Sequence, residues 1–299
     1  MIDPDPDPDP GAAVLFTRYR RSLIETFPSV FLRWEHLADH PHGPLANVRL
    51  LSSTFDAAHP RTTRRLLTGS ERRLPAYAQA YAQTEVGATT IGFRTRHAAG
   101  PTDDARHVNR QALALSRARL LDLHSGRPVR RPDRIGRIDA RGPGLFAGYL
   151  DQGQHTTSPQ RECGPDTGDV GSRTLTAGLP LAGRAVDAVS GMDDPLAVER
   201  RLLDRLPEPT EVILPTLPGQ NTPVTVVCTR ADIPLDRGRW RAAIADLPLP
   251  ALPPTSHCRP FPRQWRWDQL PTTATWKVRR AALQLLLIAD PATPTRILS

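Results

Sequence analysis

Glycine and proline residues divide residues 120–182 into pieces that are too short for long helices. Between these breaks, apolar and polar residues alternate in RLLDLHSGRPV, RIGRIDARGPGLFAGYL and TGDVGSRTLTAGLPLAGR. Alternation with a period of two, interrupted by turn residues, is typical of short β-strands. The chain also contains 32 prolines and only 5% aromatic residues, which indicates many loops and short elements. This region is therefore predicted to be a small β-rich module.

The pattern changes after about residue 183. Apolar residues at helical spacing predict helices in DPLAVERRLLDRL, with Asp194 near its start, in RGRWRAAIADL and in the closing segment WKVRRAALQLLL. EVILP and VTVVCTR are predicted strands, and HCRPFPRQWRWDQLP is extended and aromatic. Helices that alternate with strands over this length predict a compact domain of ordinary size at residues 183–299.

The N-terminal region mixes both signals. Residues 1–11 contain an Asp-Pro repeat, which predicts an extended, disordered tail because proline fixes φ and lacks an N–H group. In residues 12–182, ANVRLLSST predicts a strand, HPRTTRRLLTG a helix that ends at Gly69, and PAYAQAYAQTEVG a strand that enters a polar loop. With 39% hydrophobic residues in 299, we expect a packed core rather than general disorder.

Charge and cysteine content restrict the function classes. The net charge is +8 and the sequence pI is about 10.3, which leaves a basic nucleic-acid-binding protein as an alternative. However, the arginines are scattered, and no basic helix or aromatic-interleaved strip is present. Cys163, Cys228 and Cys258 fit neither a metal-ligand spacing nor a disulfide framework. With no signal peptide, and with LQLLLIA as the longest apolar run, we expect a cytoplasmic protein without a membrane span.

Several short segments combine residue types that bind nucleotides. YAQTEVG, residues 81–87, offers an aromatic face, a hydroxyl and a carboxylate, which suit a base, a phosphate oxygen and a hard metal ion. TGDVG, residues 167–171, places a carboxylate beside glycines, where it could accept hydrogen bonds from ribose hydroxyls. LPTTATWKV contains Lys277, the only lysine among the 39 Lys and Arg residues. Taken alone, YAQTEVG is better explained as an ordinary polar loop and TGDVG as an Asp-Gly turn, and Lys277 could be a solvated surface lysine.

The order of these segments resembles the adenylate-forming superfamily of acyl- and aryl-CoA ligases, peptide-synthetase adenylation domains and luciferases. The resemblance runs from about residue 45 to 285. The family's Tyr-Gly-x-Thr-Glu motif appears with Ala82 in place of Gly, its Gly-Glu-Ile motif with Arg137 in place of Glu, and its Gly-Lys motif with Trp276 in place of Gly. The matching positions, in chain order, are Tyr81, Thr84, Glu85, Gly136, Ile138, Gly142, Pro143, Gly148, Tyr149, Thr167, Gly168, Asp169, Gly183, Arg184, Asp187, Pro195, Glu199, Pro271 and Lys277.

The resemblance implies a role for each matched site residue. Tyr81 would stack on adenine, Thr84 would contact the α-phosphate, and Glu85 would ligate Mg²⁺. Asp169 and Arg184 would hold the ribose hydroxyls of ATP or AMP, and Asp187 would be a hinge. Lys277 would bridge the carboxylate and the α-phosphate, which an ammonium suits better than a forked guanidinium.

The implied function is an ATP-dependent acid–thiol ligase. It would activate a carboxylic acid as an acyl-adenylate and pass it to CoA or to the phosphopantetheine thiol of an acyl or peptidyl carrier protein. The implied fold is α/β: residues 12–182 form the C-terminal part of the large domain, with a sheet and the β-rich module, and residues 183–299 form a small, mobile α+β domain. No Ser/Thr/Gly-rich phosphate-binding loop ending in Pro-Lys is present in residues 1–80.

The missing loop leaves three interpretations. The chain is one half of a split enzyme completed by an N-terminal polypeptide, a fragment of a frame-shifted gene with little activity, or a non-catalytic module that binds AMP or a carrier protein. The acid substrate and the thiol acceptor cannot be identified from the sequence.

Overall fold

The computed structural model of the chain describes residues 10–54, 58–96, 107–108, 117–132, 134–146, 166–173, 179–187, 194–217, 223–229, 233–245, 247, 261–274 and 276–289. The architecture is mixed α/β, as predicted, with three sheets and six α-helices in these residues. Residues 1–9 of the predicted Asp-Pro tail lie outside this range. Pro10 and Gly11, which were assigned to the tail, begin the first helix instead.

The first sheet has four strands in the order β1-β2-β3-β4. Strands β1 to β3 are parallel, and β3 and β4 form an antiparallel hairpin. Parallel neighbours need crossover connections, and helices make them here. The elements are α1 (Pro10–Tyr19), β1 (Leu23–Glu25), α2 (Pro28–Arg33), a 3-10 helix (Trp34–Asp39), β2 (Leu50–Ser53), α3 (Pro60–Thr68), β3 (Ala76–Gln83) and β4 (Gly87–Thr95). Helix α3 has a proline at its start and Gly69 as its C-cap, as the sequence predicts.

The second sheet is the predicted β-rich module. Its five antiparallel strands are ordered β5-β9-β8-β7-β6. They are β5 (His107–Val108), β6 (Arg117–Leu121), β7 (Gly136–Arg141), β8 (Asp166–Gly171) and β9 (Leu179–Arg184). Two glycines allow close backbone contact: a Cβ on Gly136 would lie 2.7 Å from the Leu121 carbonyl oxygen, and one on Gly171 would lie 2.6 Å from that of Pro180. Gly148 and Tyr149 of the matched motif lie outside the described residues.

The third sheet has the order β10-β11-β12. Its strands and helices are α4 (Pro195–Arg205), β10 (Pro209–Ile213), β11 (Val226–Thr229), α5 (Arg237–Ile244), β12 (Arg263–Trp265), a 3-10 helix (Trp267–Gln269) and α6 (Arg280–Ala289). Asp194 caps α4 by accepting a 2.9 Å hydrogen bond from the Ala197 N–H. The predicted closing helix was too long: it begins at Arg280, because the preceding residues form a turn in which Thr272 pairs with Val278.

Side chains connect the N-terminal and C-terminal elements. Leu32 of α2 belongs to the same buried cluster as Leu202 and Val227, and the Arg33 guanidinium lies 5.1 Å from the centroid of the Trp267 ring. Arg61 of α3 donates hydrogen bonds to the carbonyl groups at the C-terminal end of α4. These contacts hold α4 beside the first sheet. The division into two domains near residue 183 stays a prediction.

No helix within the described residues is long and apolar enough to cross a membrane.

Candidate active site

One cavity of about 920 Å³ lies where the three sheets meet. The β3–β4 hairpin, strands β8 and β9, helix α4 and the turn before α6 all contribute to its wall. Six of the seven predicted site residues line it: Tyr81, Thr84, Glu85, Asp169, Arg184 and Lys277. These residues are spread over nearly 200 positions of sequence, so the fold brings the motifs together at one place. Their individual roles stay predictions.

Asp169 is at the centre of a hydrogen-bonded cluster. Its Oδ2 accepts a 2.8 Å hydrogen bond from the Tyr81 hydroxyl and a 2.6 Å hydrogen bond from Nε2 of Gln83. Its Oδ1 lies 3.4 Å from Nε of Arg184. A carboxylate has about four lone-pair directions, and the contacts described here use three of them. Asp169 is therefore oriented from two strands before any ligand is considered.

Burial and charge act in opposite directions on this cluster. Burial raises the pKa of Asp169 above its ordinary value, while the hydrogen bond from Tyr81 and the charges of Arg184 and Lys277 partly oppose that rise. Burial and the adjacent Asp169 carboxylate also raise the pKa of the Tyr81 hydroxyl. Tyr81 therefore stays protonated and acts as a donor, and positive charge in the cavity favours the ionised form of Asp169.

Arg184 occupies space that a side chain at position 168 would fill. Asp169 and Arg184 are register partners on neighbouring antiparallel strands, so their side chains lie on the same face. Gly168 has φ +71°, and a Cβ there would lie 2.7 Å from Nη2 of Arg184. The Thr-Gly-Asp motif thus needs glycine both for the left-handed backbone and for the guanidinium.

Thr84 and Glu85 form the turn between β3 and β4. Thr84 is exposed and Glu85 is half-buried, and the Glu85 carbonyl accepts a 3.0 Å hydrogen bond from the Phe146 N–H. The described residues include no group of three or more His, Cys, Asp or Glu side chains able to hold a metal ion. Glu85 would not need such a group to hold Mg²⁺, because that ion takes much of its coordination from phosphate and water.

Lys277 is presented by the turn that precedes α6. Its N–H donates to Oγ1 of Thr273 at 3.2 Å, and its carbonyl accepts a 2.9 Å hydrogen bond from the Thr273 N–H. Three residues later, Arg280 forms a two-pronged ion pair with the buried Glu199 of α4, with both N–O distances 2.7 Å. This pair anchors the start of α6 beside the cavity. Asp187 ends the 3-10 helix Ala185–Asp187, and its side chain lies outside the described residues.

Sequence reasoning missed some of the supporting residues. Gln83 was passed over as the variable position of the Tyr-x-x-Thr-Glu motif, although alternation along β3 places it on the same side as Tyr81. Arg137, where the family has Glu, lies 3.4 Å from Asp139 Oδ1 and 3.3 Å from Asp166 Oδ2. Arg137 therefore has one ionic partner on its own strand, β7, and another on β8.

This chain resembles known proteins in sequence and in fold. No protein-family model matches the sequence. The chain is 37% identical over 293 residues to a 3-amino-2-hydroxy-4-methoxybenzoate diazotase of Streptomyces cremeus. The aligned region covers 98% of this chain and 50% of the diazotase. The chain thus spans about half the length of this curated relative.

Solved structures show the same fold at low identity. ATP-bound MatB from Rhodopseudomonas palustris superposes with a TM-score of 0.70 at 20% identity, over 94% of this chain and 53% of MatB. The anthranilate CoA ligase AuaEII, in complex with anthranoyl-AMP, gives 0.71 at 16% identity, over 93% and 53%. The amide bond synthetase McbA from Marinactinospora thermotolerans gives 0.70 at 20% identity, over 94% and 55%. The predicted resemblance is thereby confirmed at the level of the fold: over the part of those enzymes that it spans, this chain has the fold of the C-terminal region of an adenylate-forming ligase.

Proposed function

We propose that this chain contributes the nucleotide-binding cleft of an ATP-dependent, adenylate-forming enzyme. The observation that supports this most strongly is the Asp169 cluster: Tyr81, Gln83 and Arg184 orient one buried carboxylate in a cavity that Lys277 also lines. A purely structural ion pair would not need to face a cavity of about 920 Å³ that is also lined by an aromatic side chain and by several cationic side chains. ATP-bound and acyl-adenylate-bound neighbours of the same fold add to the support.

In the proposed reaction, a carboxylate oxygen of the substrate attacks the α-phosphorus of ATP. A carboxylate–phosphate bond forms, the bond to the bridging oxygen breaks, and pyrophosphate leaves with its electron pair. Asp169 accepts hydrogen bonds from ribose, Tyr81 packs against the base, and the Thr84 hydroxyl donates to the α-phosphate. The Lys277 ammonium neutralises charge on both reacting oxyanions, because three donors on a flexible stem can follow their movement.

Two further components complete the proposal. Mg²⁺ would be held by Glu85 together with the phosphates, and when bound it would spread the negative charge of the transferred group. Contacts to the β- and γ-phosphates come from backbone N–H groups in such enzymes' loops, and no loop of that type is present in residues 1–80. We therefore propose that a complementing polypeptide region supplies them. The acyl acceptor is proposed to be CoA or the phosphopantetheine thiol of a carrier protein.

A second candidate is the formation of a diazo group on an aromatic amine. The 37% identity to a 3-amino-2-hydroxy-4-methoxybenzoate diazotase favours it. Both reactions need an oxyanion to be activated. In diazotisation the nitrogen donor must lose its oxygen, and nitrite is the simplest such donor. The same cavity would then activate a nitrogen oxyanion rather than a carboxylate.

The test is pyrophosphate release from Mg·ATP, first by the chain alone. Release that depends on a fatty, aryl or amino acid would indicate acid activation. Release that depends on nitrite together with an aminobenzoate would indicate diazotisation. Lys277→Ala should abolish release, whereas Arg279→Ala, which removes an exposed positive charge two residues away, should not. Release without any added acid or nitrite, or equal release by Lys277→Ala, would contradict the proposal.

Binding separates the remaining alternatives. Calorimetric titration with AMP should show binding even if the chain needs a complementing polypeptide for turnover. A chain that binds AMP but never releases pyrophosphate, with or without that polypeptide, would be the non-catalytic binding module. Retention of DNA or RNA that falls steeply with salt, without AMP binding, would instead support the nucleic-acid alternative.

A further inference from the structure

The turn that presents Lys277 contains an unusual backbone position. Trp276 has φ +59°, and among the described residues only Arg20 is another non-glycine residue with positive φ. The turn is closed on both sides of it: the Trp276 N–H donates to the Thr273 carbonyl at 3.0 Å, and the Arg279 N–H donates to the Pro271 carbonyl at 2.8 Å. A short loop that reverses the chain often needs one left-handed residue, and glycine usually supplies it.

A tryptophan is an unfavourable choice for this conformation. The left-handed region brings Cβ close to the following carbonyl oxygen, and glycine alone avoids that contact. Strain of this type persists where the surrounding structure determines it, and it is frequent at functional sites. The side chain of Trp276 should therefore make a contact that compensates for the backbone.

The ring of Trp276 contacts the N-terminal part of the chain. It packs, half-buried, against the hydrophobic cluster that contains Phe31, Leu51 and Tyr77. It also lines the cavity together with Lys277. A residue at the end of the chain thus reaches a core formed by helices α1 to α3 and the first sheet.

We propose that Trp276 is a positioning residue for Lys277: its ring docks the turn onto the N-terminal core and so holds the ammonium group in the cavity. Lys277 lies near enough to Asp169 for its charge to affect the pKa of that carboxyl, as expected of a docked turn. A glycine at position 276 would relieve the backbone but would give the turn no side chain with which to dock. The importance of Lys277 rests on the proposed function, whereas the docking itself does not.

The single lysine makes the proposal directly measurable. An acetylating N-hydroxysuccinimide ester can react with only two amines, the α-amine of Met1 and Lys277. The α-amine serves as an internal reference, and peptide mapping by mass spectrometry locates each product. The ratio of the two rates reports how accessible Lys277 is, without any need for catalysis.

We expect Trp276→Gly to accelerate Lys277 acetylation about tenfold, which corresponds to about 1.4 kcal/mol of lost docking free energy. Trp276→Phe retains an aromatic ring and should stay close to the wild-type rate. Arg20→Gly is the matched control, because it also relieves a positive φ but lies in an exposed position on another element. It should leave the Lys277 rate unchanged. Circular dichroism and a thermal melt establish that each variant is folded.

Equal Lys277 rates in the wild type and in Trp276→Gly would overturn the proposal. So would a Trp276→Phe rate as fast as that of Trp276→Gly, because an aromatic ring would then not hold the turn. Repeating the labelling with AMP tests the proposed function separately, since bound AMP should slow the acetylation of wild-type Lys277. Absence of that protection would count against nucleotide binding but would leave the docking result intact.

Discussion

The Tyr81 hydroxyl and the Asp169 carboxylate join two different sheets through a 2.8 Å hydrogen bond. Tyr81 belongs to β3 of the first sheet and Asp169 to β8 of the five-stranded sheet. Because both residues are buried, solvent competes little with their hydrogen bond. The same contact therefore links the two sheets and orients the proposed ribose-binding carboxylate.

Removing the Tyr81 hydroxyl should weaken AMP binding. Tyr81→Phe deletes one donor to a buried carboxylate, a type of hydrogen bond worth about 1.5–3 kcal/mol, so AMP affinity should fall at least tenfold in a calorimetric titration. Tyr77→Phe is the control, because Tyr77 lies on the same strand as Tyr81 and also has a buried hydroxyl. That hydroxyl donates to Ser53 of β2 at 2.8 Å, and Tyr77 is not among the described residues of the cavity wall. It should change stability but not affinity. Tighter AMP binding by Tyr81→Phe would mean that the hydroxyl competes with ribose.

The free energy of unfolding should depend on pH through Asp169. Burial raises its pKa in the folded state above the ordinary 3.8, so the folded protein holds this proton more tightly than the unfolded chain. Stability from this group is greatest below that ordinary value and falls as pH rises towards the folded-state pKa. Urea unfolding from about pH 4 to about pH 7 should show wild type losing stability relative to Asp169→Asn. A difference that grows in favour of wild type with rising pH would show that Arg184 and Lys277 outweigh burial.

Gly168→Ala should separate backbone strain from its effect on the site. The position has φ +71° and faces the mobile end of Arg184, whereas Gly126, with φ +65°, has nothing within 4 Å of an added Cβ. Both alanine variants should therefore lose a similar amount of stability, about 1–2 kcal/mol. Only Gly168→Ala displaces Arg184, so only this variant should bind AMP more weakly. Equal AMP affinities would indicate that Arg184 does not act on the nucleotide.

Arg280→Met should be strongly destabilising, because it leaves Glu199, which is 2% exposed, without its cation. Loss of one partner of a buried ion pair typically costs about 3–5 kcal/mol. The double variant Glu199→Leu/Arg280→Met should recover part of that loss. It should still lack about 1–3 kcal/mol, because the Leu214 N–H donates to Glu199 at 2.8 Å and would be unpaired. A loss below about 1 kcal/mol in the single variant, typical of exposed pairs, would mean that water screens this one.

Two arginines of α3 offer a matched comparison of contacts with α4. Arg61 lies 3.1 Å from the buried Glu35 carboxylate, donates to the carbonyls of Leu206 at 2.9 Å and Pro209 at 3.0 Å, and also bonds that of Leu203. Arg64 makes a partly exposed pair with Asp204 at 3.5 Å. Urea unfolding should show a loss of about 3–5 kcal/mol for Arg61→Met and less than about 1 kcal/mol for Arg64→Met. Similar losses for both would contradict the importance assigned to burial.

Local sequence patterns predicted those features that depend on neighbouring residues. The spacing of apolar residues and the capping residues were sufficient to predict α4 with Asp194 at its start and α3 with Gly69 at its end. Six residues that the order of short motifs singled out line one cavity, and their roles stay predictions. The predicted helix ends depend on information within a few positions of the chain.

The remaining features depend on contacts between distant residues. Arg61 binds Glu35, 26 positions earlier, and Pro209, 148 positions later, and no local pattern indicates such partners. One further feature is local: the predicted closing helix began at Trp276, but a turn in which Thr272 pairs with Val278 and Trp276 has a left-handed backbone delays the helix to Arg280. The helical spacing of apolar residues does not reveal such a turn.

The Arg61 contacts also have a kinetic consequence. If α4 moves away from α3, the guanidinium must release carbonyl groups of α4 and β10 while Glu35 retains its buried negative charge. Partial displacement breaks these hydrogen bonds before water can replace them, so intermediate positions are high in free energy. Such a movement would therefore proceed as an exchange between two discrete arrangements rather than as a gradual drift.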